Sequence, residues 1–140
     1  MLTRLAPPAA LIVLLGGCAA TPTPLPTTAP IAAEVSCREY SNVMTLMANA
    51  STAYYEGRFS DQELQGAADL AVQMLADIPA EPGTAIADSL DDLRLLPSSE
   101  LLTRWDRTTG NTKWGAPETA LGDACAAAGS DLYIMGWTGG

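Results

Sequence analysis

Residues 21–30 alternate proline with threonine and other small residues, and this segment divides the chain into two unlike parts. Its prolines are Pro22, Pro24, Pro26 and Pro30. Each proline fixes its own φ angle and biases the preceding residue toward extended backbone, so a helix is excluded here. We predict polyproline II conformation, in which ten residues span on the order of 30 Å. Residues 18–33 are therefore predicted to be a flexible Pro/Thr-rich tether, and a folded domain is confined to residues 34–140.

The segment before the tether has the three parts of an export signal. Arg4 supplies a positive charge, residues 11–15 end an apolar run, and Gly16 and Gly17 are small residues at a cleavage position. The apolar run is about a dozen residues long, whereas a membrane-spanning helix needs roughly 20. Residues 1–17 are therefore predicted to be a removed signal peptide.

Leu15, Gly16, Gly17 and Cys18 resemble the lipobox of bacterial lipoproteins. The resemblance implies that the Cys18 thiol receives a diacylglycerol and that cleavage leaves Cys18 as the new N-terminus. It also implies a lipid-anchored protein on the extracytoplasmic face of the cell membrane, since two long acyl chains anchor stably at about 0.8 kcal/mol per buried CH₂. The alternative is an ordinary secretory signal, cut near Ala19, with an incidental cysteine.

The mature chain is strongly acidic. Without Arg4, the 7 basic residues become 6 against 16 acidic residues, which gives a net charge of −10. Nucleic acid and anionic lipid headgroups are poor partners for such a surface, because both require basic patches. A basic partner, cations and simple solubility remain open.

The chain contains no histidine, which removes Ser-His-Asp and Cys-His catalysis and nearly all zinc sites. Asp88, Asp91 and Asp92 share a helix face, but they lack the loop of oxygen ligands that Ca²⁺ needs and are predicted to be solvated. Met44 and Met47 are predicted to be core residues rather than copper ligands. No cofactor, metal site or catalytic residue is predicted.

Cys37 and Cys125 are the two cysteines left once Cys18 is lipidated. An even pair in an exported protein predicts a disulfide. Closing so long a loop is worth roughly 4–5 kcal/mol in the chain-entropy model. A reactive thiol or a metal-binding pair is the alternative.

Apolar residues recur at helical spacing through the domain. The sharpest local signal is a capping box at Ser60 and Glu63, with Phe59 and Leu64 at the hydrophobic-staple positions. The pattern predicts helices over about 33–56, 61–77, 83–96, 100–106 and 117–128. The fold class is therefore an all-α, four- to five-helix bundle joined by one disulfide, with the first and last helices side by side. Residues 132–137 are predicted either to pack back on the bundle or to pair as a strand.

A candidate interaction surface lies in the last third of the chain. Trp114 stands in a polar segment and is, of the three tryptophans, the best candidate for exposure, where it could stack on a sugar or anchor a protein interface. Arg104 and Arg107 flank this region and could hold an anionic group. The interpretation that we favour is that Trp114 covers one end of the core and that the arginines pair with surface acids.

Overall the chain resembles small uncharacterised lipoproteins of high-GC Gram-positive bacteria or their phages, on the strength of the lipobox, the Thr/Pro stalk, the alanine-rich composition and the Cys37/Cys125 pair. We expect a non-enzymatic binding or interaction module at the cell envelope, with an envelope protein or wall component as partner. Three alternatives remain open: a prophage-encoded superinfection-exclusion lipoprotein, a small-ligand or inhibitor-binding module, and a wall-acting enzyme that uses two carboxylates in a deep cleft.

Overall fold

The computed structural model describes residues 31–106 and 112–136, so the predicted signal peptide and nearly all of the predicted tether lie outside the described residues. The described part contains five helices and no strand. They are α1 (Ala33–Tyr55), α2 (Asp61–Asp77), α3 (Ala85–Arg94), α4 (Ser98–Trp105) and α5 (Gly115–Ala127). The all-α fold class and the disulfide are confirmed. No helix in this part is both long and apolar enough to cross a membrane.

The helix boundaries follow local signals in the sequence. Gly57 adopts a φ of 72° directly after α1, a left-handed conformation that favours glycine over other residues. The predicted capping box opens α2: the Ser60 backbone N–H donates to Glu63 Oε2 at 2.7 Å, and the Glu63 N–H donates to Ser60 Oγ at 3.3 Å. Thr84 caps α3, which is two residues shorter at each end than predicted. Helix α5 begins at Gly115, two residues before Pro117.

Polar side chains from α3 and α1, rather than a glycine cap, hold the C-terminal end of α2. Arg94, the last residue of α3, donates from Nε to the Leu75 carbonyl at 3.3 Å and from a terminal nitrogen to the Ile78 carbonyl. From the other side, Ser36 Oγ donates to the Pro79 carbonyl at 2.6 Å. These bonds help to satisfy carbonyls at and just beyond the helix end.

The core lies between the helices and draws on all five. Fully burying one leucine-sized side chain is worth roughly 1.5–3 kcal/mol, so these contacts supply most of the stabilisation. Its largest fully buried members are Trp114, Tyr40, Met47, Leu75, Leu90, Leu93, Leu101 and Leu121. Met44 and Met47 both lie in this core, as their helical spacing predicted.

The disulfide joins Cys37 of α1 to Cys125 of α5, with a Cα–Cα distance of 5.9 Å and both residues fully buried. The expected side-by-side packing of the first and last helices is wrong, however. Helix α1 packs chiefly against α2, and α5 packs chiefly against α3, so α1 and α5 meet at few positions. The disulfide therefore links two helix pairs, a role that spacing in sequence did not predict.

The chain after α5 packs back on the bundle without forming a strand. Residues 131–136 lie along α1, where the Tyr133 N–H donates to Ser41 Oγ at 3.2 Å and the Met135 N–H donates to Thr45 Oγ1 at 3.1 Å. Asn49 Nδ2 donates to the Met135 carbonyl at 2.9 Å. Ser41 and Thr45 are four residues apart on the helix, a rise of about 6 Å. Tyr133 and Met135 are two residues apart in extended backbone, a rise of about 6.6 Å. The two spacings are similar, so each hydroxyl on α1 lies opposite one backbone amide of the segment.

Candidate ligand-binding cleft

Trp114 is fully buried, as the interpretation that it covers one end of the core predicts, and it is not exposed as an interaction surface requires. Its Nε1 donates to the Tyr40 hydroxyl at 3.1 Å inside the core. The polar residues around Trp114 suggested an exposed loop, whereas the indole is buried by contacts with the rest of the bundle. Trp114 therefore closes the core and presents no free surface for a partner.

Arg104 is half-exposed and paired with an acid. Its Nε lies 2.8 Å from Glu118 Oε2, and its guanidinium carbon lies 5.4 Å from the Trp105 ring centroid. This arrangement corresponds to the expected alternative of pairing with surface acids. Arg107 and Cys18, the predicted lipid-attachment residue, lie outside the described residues. The predicted interaction surface is thus not assembled by the part of the chain that the structure describes.

A cleft of about 570 Å³ opens instead where three helix ends meet. The C-terminal end of α1 supplies Tyr54 and Tyr55, the start of α2 supplies Asp61, and the end of α4 supplies Trp105 and Asp106. Its apolar floor includes Leu64 and Leu102, and its polar wall includes Ser51, Gln65 and Thr103. A cleft with an aromatic lining and a few placed polar groups is the usual form of a small-molecule site.

Local sequence places each of these side chains. Tyr54 and Tyr55 end α1 just before Gly57 turns the chain. Their rings meet edge to face, with centroids 5.7 Å apart and planes at 70°, a preferred geometry for aromatic pairs. Asp61 follows the Ser60 cap as the first residue of α2, where the positive end of the helix dipole favours a carboxylate.

Several hydrogen-bond donors on the cleft wall are already used within the protein. The Tyr54 hydroxyl donates to the Asp61 carboxylate, and this bond with the neighbouring negative charge raises the pKa of Tyr54. The Thr103 hydroxyl donates to the Ser99 carbonyl at 2.9 Å. The Gln65 amide donates to Asp69 at 2.9 Å and to Ser98 at 3.2 Å. A carboxylate offers about four acceptor positions, so the wall is rich in acceptors.

The indole nitrogen of Trp105 is a further donor beside the cleft. Nε1 is buried, and no acceptor contacts it within residues 31–106 and 112–136. Buried donors without an acceptor are uncommon in folded proteins, so Nε1 is a donor that the described residues leave unused.

No basic residue lines the cleft among the described residues. Each basic residue of the described part is paired with an acid, and these pairs lie outside the cleft lining. The pairs are Arg38–Glu39, Arg58–Glu56, Arg94–Asp91, Arg104–Glu118 and Lys113–Glu100. Among the described lining residues, the charged side chains are therefore those of Asp61 and Asp106.

Two smaller cavities differ from the cleft in chemistry. One of about 370 Å³ lies beside the α2 end, near Met74 and Ile78, and one of about 280 Å³ lies near Tyr133 and Met44. Neither brings three aromatic rings together with two acids. Within the described residues, no cluster of three or more cysteines and acids is placed to hold a metal ion.

Comparison of the chain with protein-family models, curated proteins and solved structures finds no match in any of the three. The cleft is therefore the feature of the molecule that bears on its function. Its aromatic residues are visible in the sequence at predicted helix ends, but their convergence is not, because Tyr54 and Trp105 lie far apart along the chain.

Proposed function

We propose that this protein is a lipid-anchored, non-enzymatic binding module on the extracytoplasmic face of the cell membrane. The observation that carries the proposal is the cleft, in which Tyr54, Tyr55 and Trp105 converge with Asp61 and Asp106. Such a combination can hold a small ligand, or a side chain of a larger partner, by aromatic contact and by charge.

The N-terminal sequence supports the proposed location. The lipobox-like residues Leu15–Cys18 precede the Pro/Thr-rich tether, and α1 begins at Ala33, directly after it. A tether of this composition extends on the order of 30 Å, which would carry the bundle clear of the lipid headgroups. The buried disulfide suits an oxidising compartment outside the cytoplasm.

Replacing the proposed lipid-attachment residue tests the location. Cys18→Ser should leave the protein in the medium or as an uncleaved precursor, because serine has no thiol to acylate. Membrane fractionation and the intact mass of the processed chain measure both outcomes, and Thr27→Ser in the tether is a matched control that should behave as wild type. Normal cleavage with unchanged membrane retention of Cys18→Ser would show that the anchor is not Cys18.

A second experiment tests the cleft as the binding site. The Cys18→Ser chain, labelled with ¹⁵N, is titrated with soluble fractions of purified cell wall and with envelope small molecules. Binding at the cleft should shift amide signals at the end of α1, the start of α2 and the end of α4. Shifts confined to the opposite face of the bundle, or no shifts with any fraction, would count against this site.

The cleft also contains the two acids that the wall-acting enzyme requires, and this favours that enzyme as the second candidate function. Glycoside hydrolysis needs one carboxyl group to donate a proton while the other acts as base or nucleophile. Asp61 already accepts a hydrogen bond from the Tyr54 hydroxyl, and this role suits a binding site better than a catalytic one. Release of reducing sugars from purified wall, lost in Asp61→Asn and Asp106→Asn, would establish the enzyme instead.

A further inference from the structure

We infer that the ligand of the cleft is a neutral saccharide that carries an N-acetyl group. This inference rests on the proposed binding function and names the ligand class of the same site. Three features of the cleft lead to it: hydrogen-bond donors that the protein leaves unused, a carboxylate with further acceptor positions, and aromatic rings beside an apolar floor.

The Ser51 hydroxyl is a polar group that the described residues leave without a hydrogen-bond partner. Ser51 lies on α1, is only 6 % exposed and lines the cleft. The hydroxyls of Ser41 and Thr52 on the same helix each donate to the carbonyl four residues earlier at 2.9 Å. Among the described side chains, only Trp105 Nε1 is both fully covered and without a partner, so the Ser51 oxygen keeps contact with solvent in the cleft. Buried hydroxyls usually have a partner, and a ligand in the cleft would supply one.

The Asp61 carboxylate provides acceptor positions in the same cleft. It accepts a hydrogen bond from the Tyr54 hydroxyl, but a carboxylate offers about four acceptor positions. The others suit an N–H or O–H group of a ligand. With a hydroxyl at Ser51 and a carboxylate at Asp61, the complementary ligand carries an acceptor and a donor together.

The Trp105 indole nitrogen is a second unused donor at the wall. Nε1 is buried without an acceptor among the described residues, while the ring lines the cleft. An unpaired buried donor costs free energy, and an acceptor on a ligand removes this cost once the indole turns toward the cleft. An ammonium group has only donors and a carboxylate group has only acceptors. The combination of Trp105, Ser51 and Asp61 therefore favours a ligand with both kinds of group over either ion.

An N-acetylated sugar combines these groups on one rigid body. Its hydroxyl groups donate and accept, and its amide has an N–H donor and a carbonyl acceptor. The C–H groups of a sugar ring carry partial positive charge, which suits the negative faces of the Tyr54, Tyr55 and Trp105 rings. The acetyl methyl group finds an apolar partner in Leu64 and Leu102. The cleft volume of about 570 Å³ is in the range of small-molecule sites.

Three disaccharides with the same β-1,4-linked skeleton test the inference. They differ at carbon 2 of each ring, which carries an acetamido group in N,N′-diacetylchitobiose, a hydroxyl group in cellobiose and, at pH 6, an ammonium group in chitobiose. Titration of the ¹⁵N-labelled Cys18→Ser chain at pH 6 should give at least tenfold tighter binding of the acetylated disaccharide than of either other. Amide signals should shift at the end of α1, the start of α2 and the end of α4.

The indole N–H signals give a direct readout in the same spectra. An acceptor on Trp105 Nε1 should move its indole proton signal downfield when N,N′-diacetylchitobiose binds. The Trp114 indole already donates to the Tyr40 hydroxyl at 3.1 Å, so its signal should keep its position. Trp105→Phe assigns the signal and retains an aromatic ring without the donor, and it should weaken binding at least threefold.

Matched variants separate the cleft from the rest of the surface. Ser51→Ala and Tyr55→Leu should each weaken binding of N,N′-diacetylchitobiose at least fivefold. Ser89→Ala removes a hydroxyl that is similarly buried, at 7 % exposed, but bonds within its own helix, α3. Tyr133→Leu removes a ring that is 42 % exposed, close to the 44 % of Tyr55. Both controls lie outside the cleft lining and should bind as wild type. Thermal unfolding confirms that each variant is folded, and the comparison of the three disaccharides needs no substitution in the cleft.

The outcomes distinguish this inference from the proposed function. Equal or tighter binding of cellobiose or chitobiose, or equal losses in the Ser51→Ala and Ser89→Ala variants, overturns the preference for an N-acetylated saccharide. Cleft shifts with another envelope molecule, together with no response to N,N′-diacetylchitobiose, also overturn it while leaving a binding module at the same site. Failure of every wall and envelope fraction to shift the cleft counts against the proposed function itself.

Discussion

The indole nitrogen of Trp114 donates a 3.1 Å hydrogen bond to the hydroxyl of Tyr40, and both side chains are completely buried. Tyr40 lies one helical turn after the disulfide residue Cys37, and Trp114 directly precedes α5. The bond therefore strengthens the connection between α1 and α5 at the end where the disulfide also joins them. It also gives the buried Trp114 indole N–H and the buried Tyr40 hydroxyl a hydrogen-bond partner within the core.

We predict that Tyr40→Phe lowers the free energy of unfolding by about 1–3 kcal/mol, because it leaves the buried Trp114 Nε1 without its acceptor. Urea unfolding followed by helical circular dichroism measures the change. Tyr133→Phe, which removes the hydroxyl of a largely exposed tyrosine, is the control and should change little. A loss in Tyr40→Phe no larger than in this control would show that the buried bond contributes nothing.

The burial of Tyr40 also predicts that the stability of the protein falls at alkaline pH. Burial, reinforced by the negative charge of Glu118, raises the pKa of Tyr40 well above its usual range. The native state therefore keeps the Tyr40 proton, whereas the unfolded state loses it above about pH 10. The contribution of Tyr40 to the free energy of unfolding is therefore fully present below pH 10 and falls as the pH rises. Between pH 9 and 10.5, wild type should lose about 0.8 kcal/mol more than Tyr40→Phe. Parallel curves for the two proteins would contradict the prediction.

Much of the fold was predictable because its signals are local. The capping box at Ser60 and Glu63 involves residues three apart, and the bounds of α2 were predicted to the residue. The disulfide was predictable because only Cys37 and Cys125 remained to pair. The partner of Trp114 was not predictable, because Tyr40, whose hydroxyl accepts its indole N–H, lies 74 residues away along the chain. The cleft was missed for the same reason, since it joins three helix ends that lie far apart in sequence.

The disulfide should hold the two helix pairs together. Replacing both Cys37 and Cys125 with alanine should cost roughly 4–5 kcal/mol in the chain-entropy model. Because α1 and α5 share few other contacts, while α2 still contacts α3 and α4, the loss should loosen α5 before α1 and α2 melt. Hydrogen exchange by mass spectrometry should show protection falling first in α5, and the Cys18→Ser chain with its disulfide intact is the reference. Uniform loss of protection across all helices would contradict this order.

The capping box of α2 should contribute to stability at neutral pH. Ser60→Ala removes the side-chain acceptor of the Glu63 N–H and should cost about 1 kcal/mol. The Ser60 backbone and side-chain hydrogen bonds lower the pKa of Glu63, so its contribution is present above about pH 4.3 and is lost as pH falls through the lower folded value. Urea unfolding at pH 7 and pH 3 should show a smaller difference between Ser60→Ala and wild type at pH 3. Thr119→Ala, at an exposed position within α5, controls for removal of a hydroxyl.

The extended segment after α5 should detach without global unfolding when its contacts with α1 are removed. The Thr45 hydroxyl accepts the Met135 N–H at 3.1 Å, so Thr45→Val, which keeps the shape of the side chain, leaves that amide without its acceptor. The Met135 amide should then exchange with solvent at least tenfold faster, and proteases should cleave the segment sooner. Thr52→Val is the matched control, because the Thr52 hydroxyl bonds only to the Ala48 carbonyl of its own helix. Equal exchange at Met135 in both variants would show that the segment is held by its apolar side chains rather than by the hydroxyl and amide groups of α1.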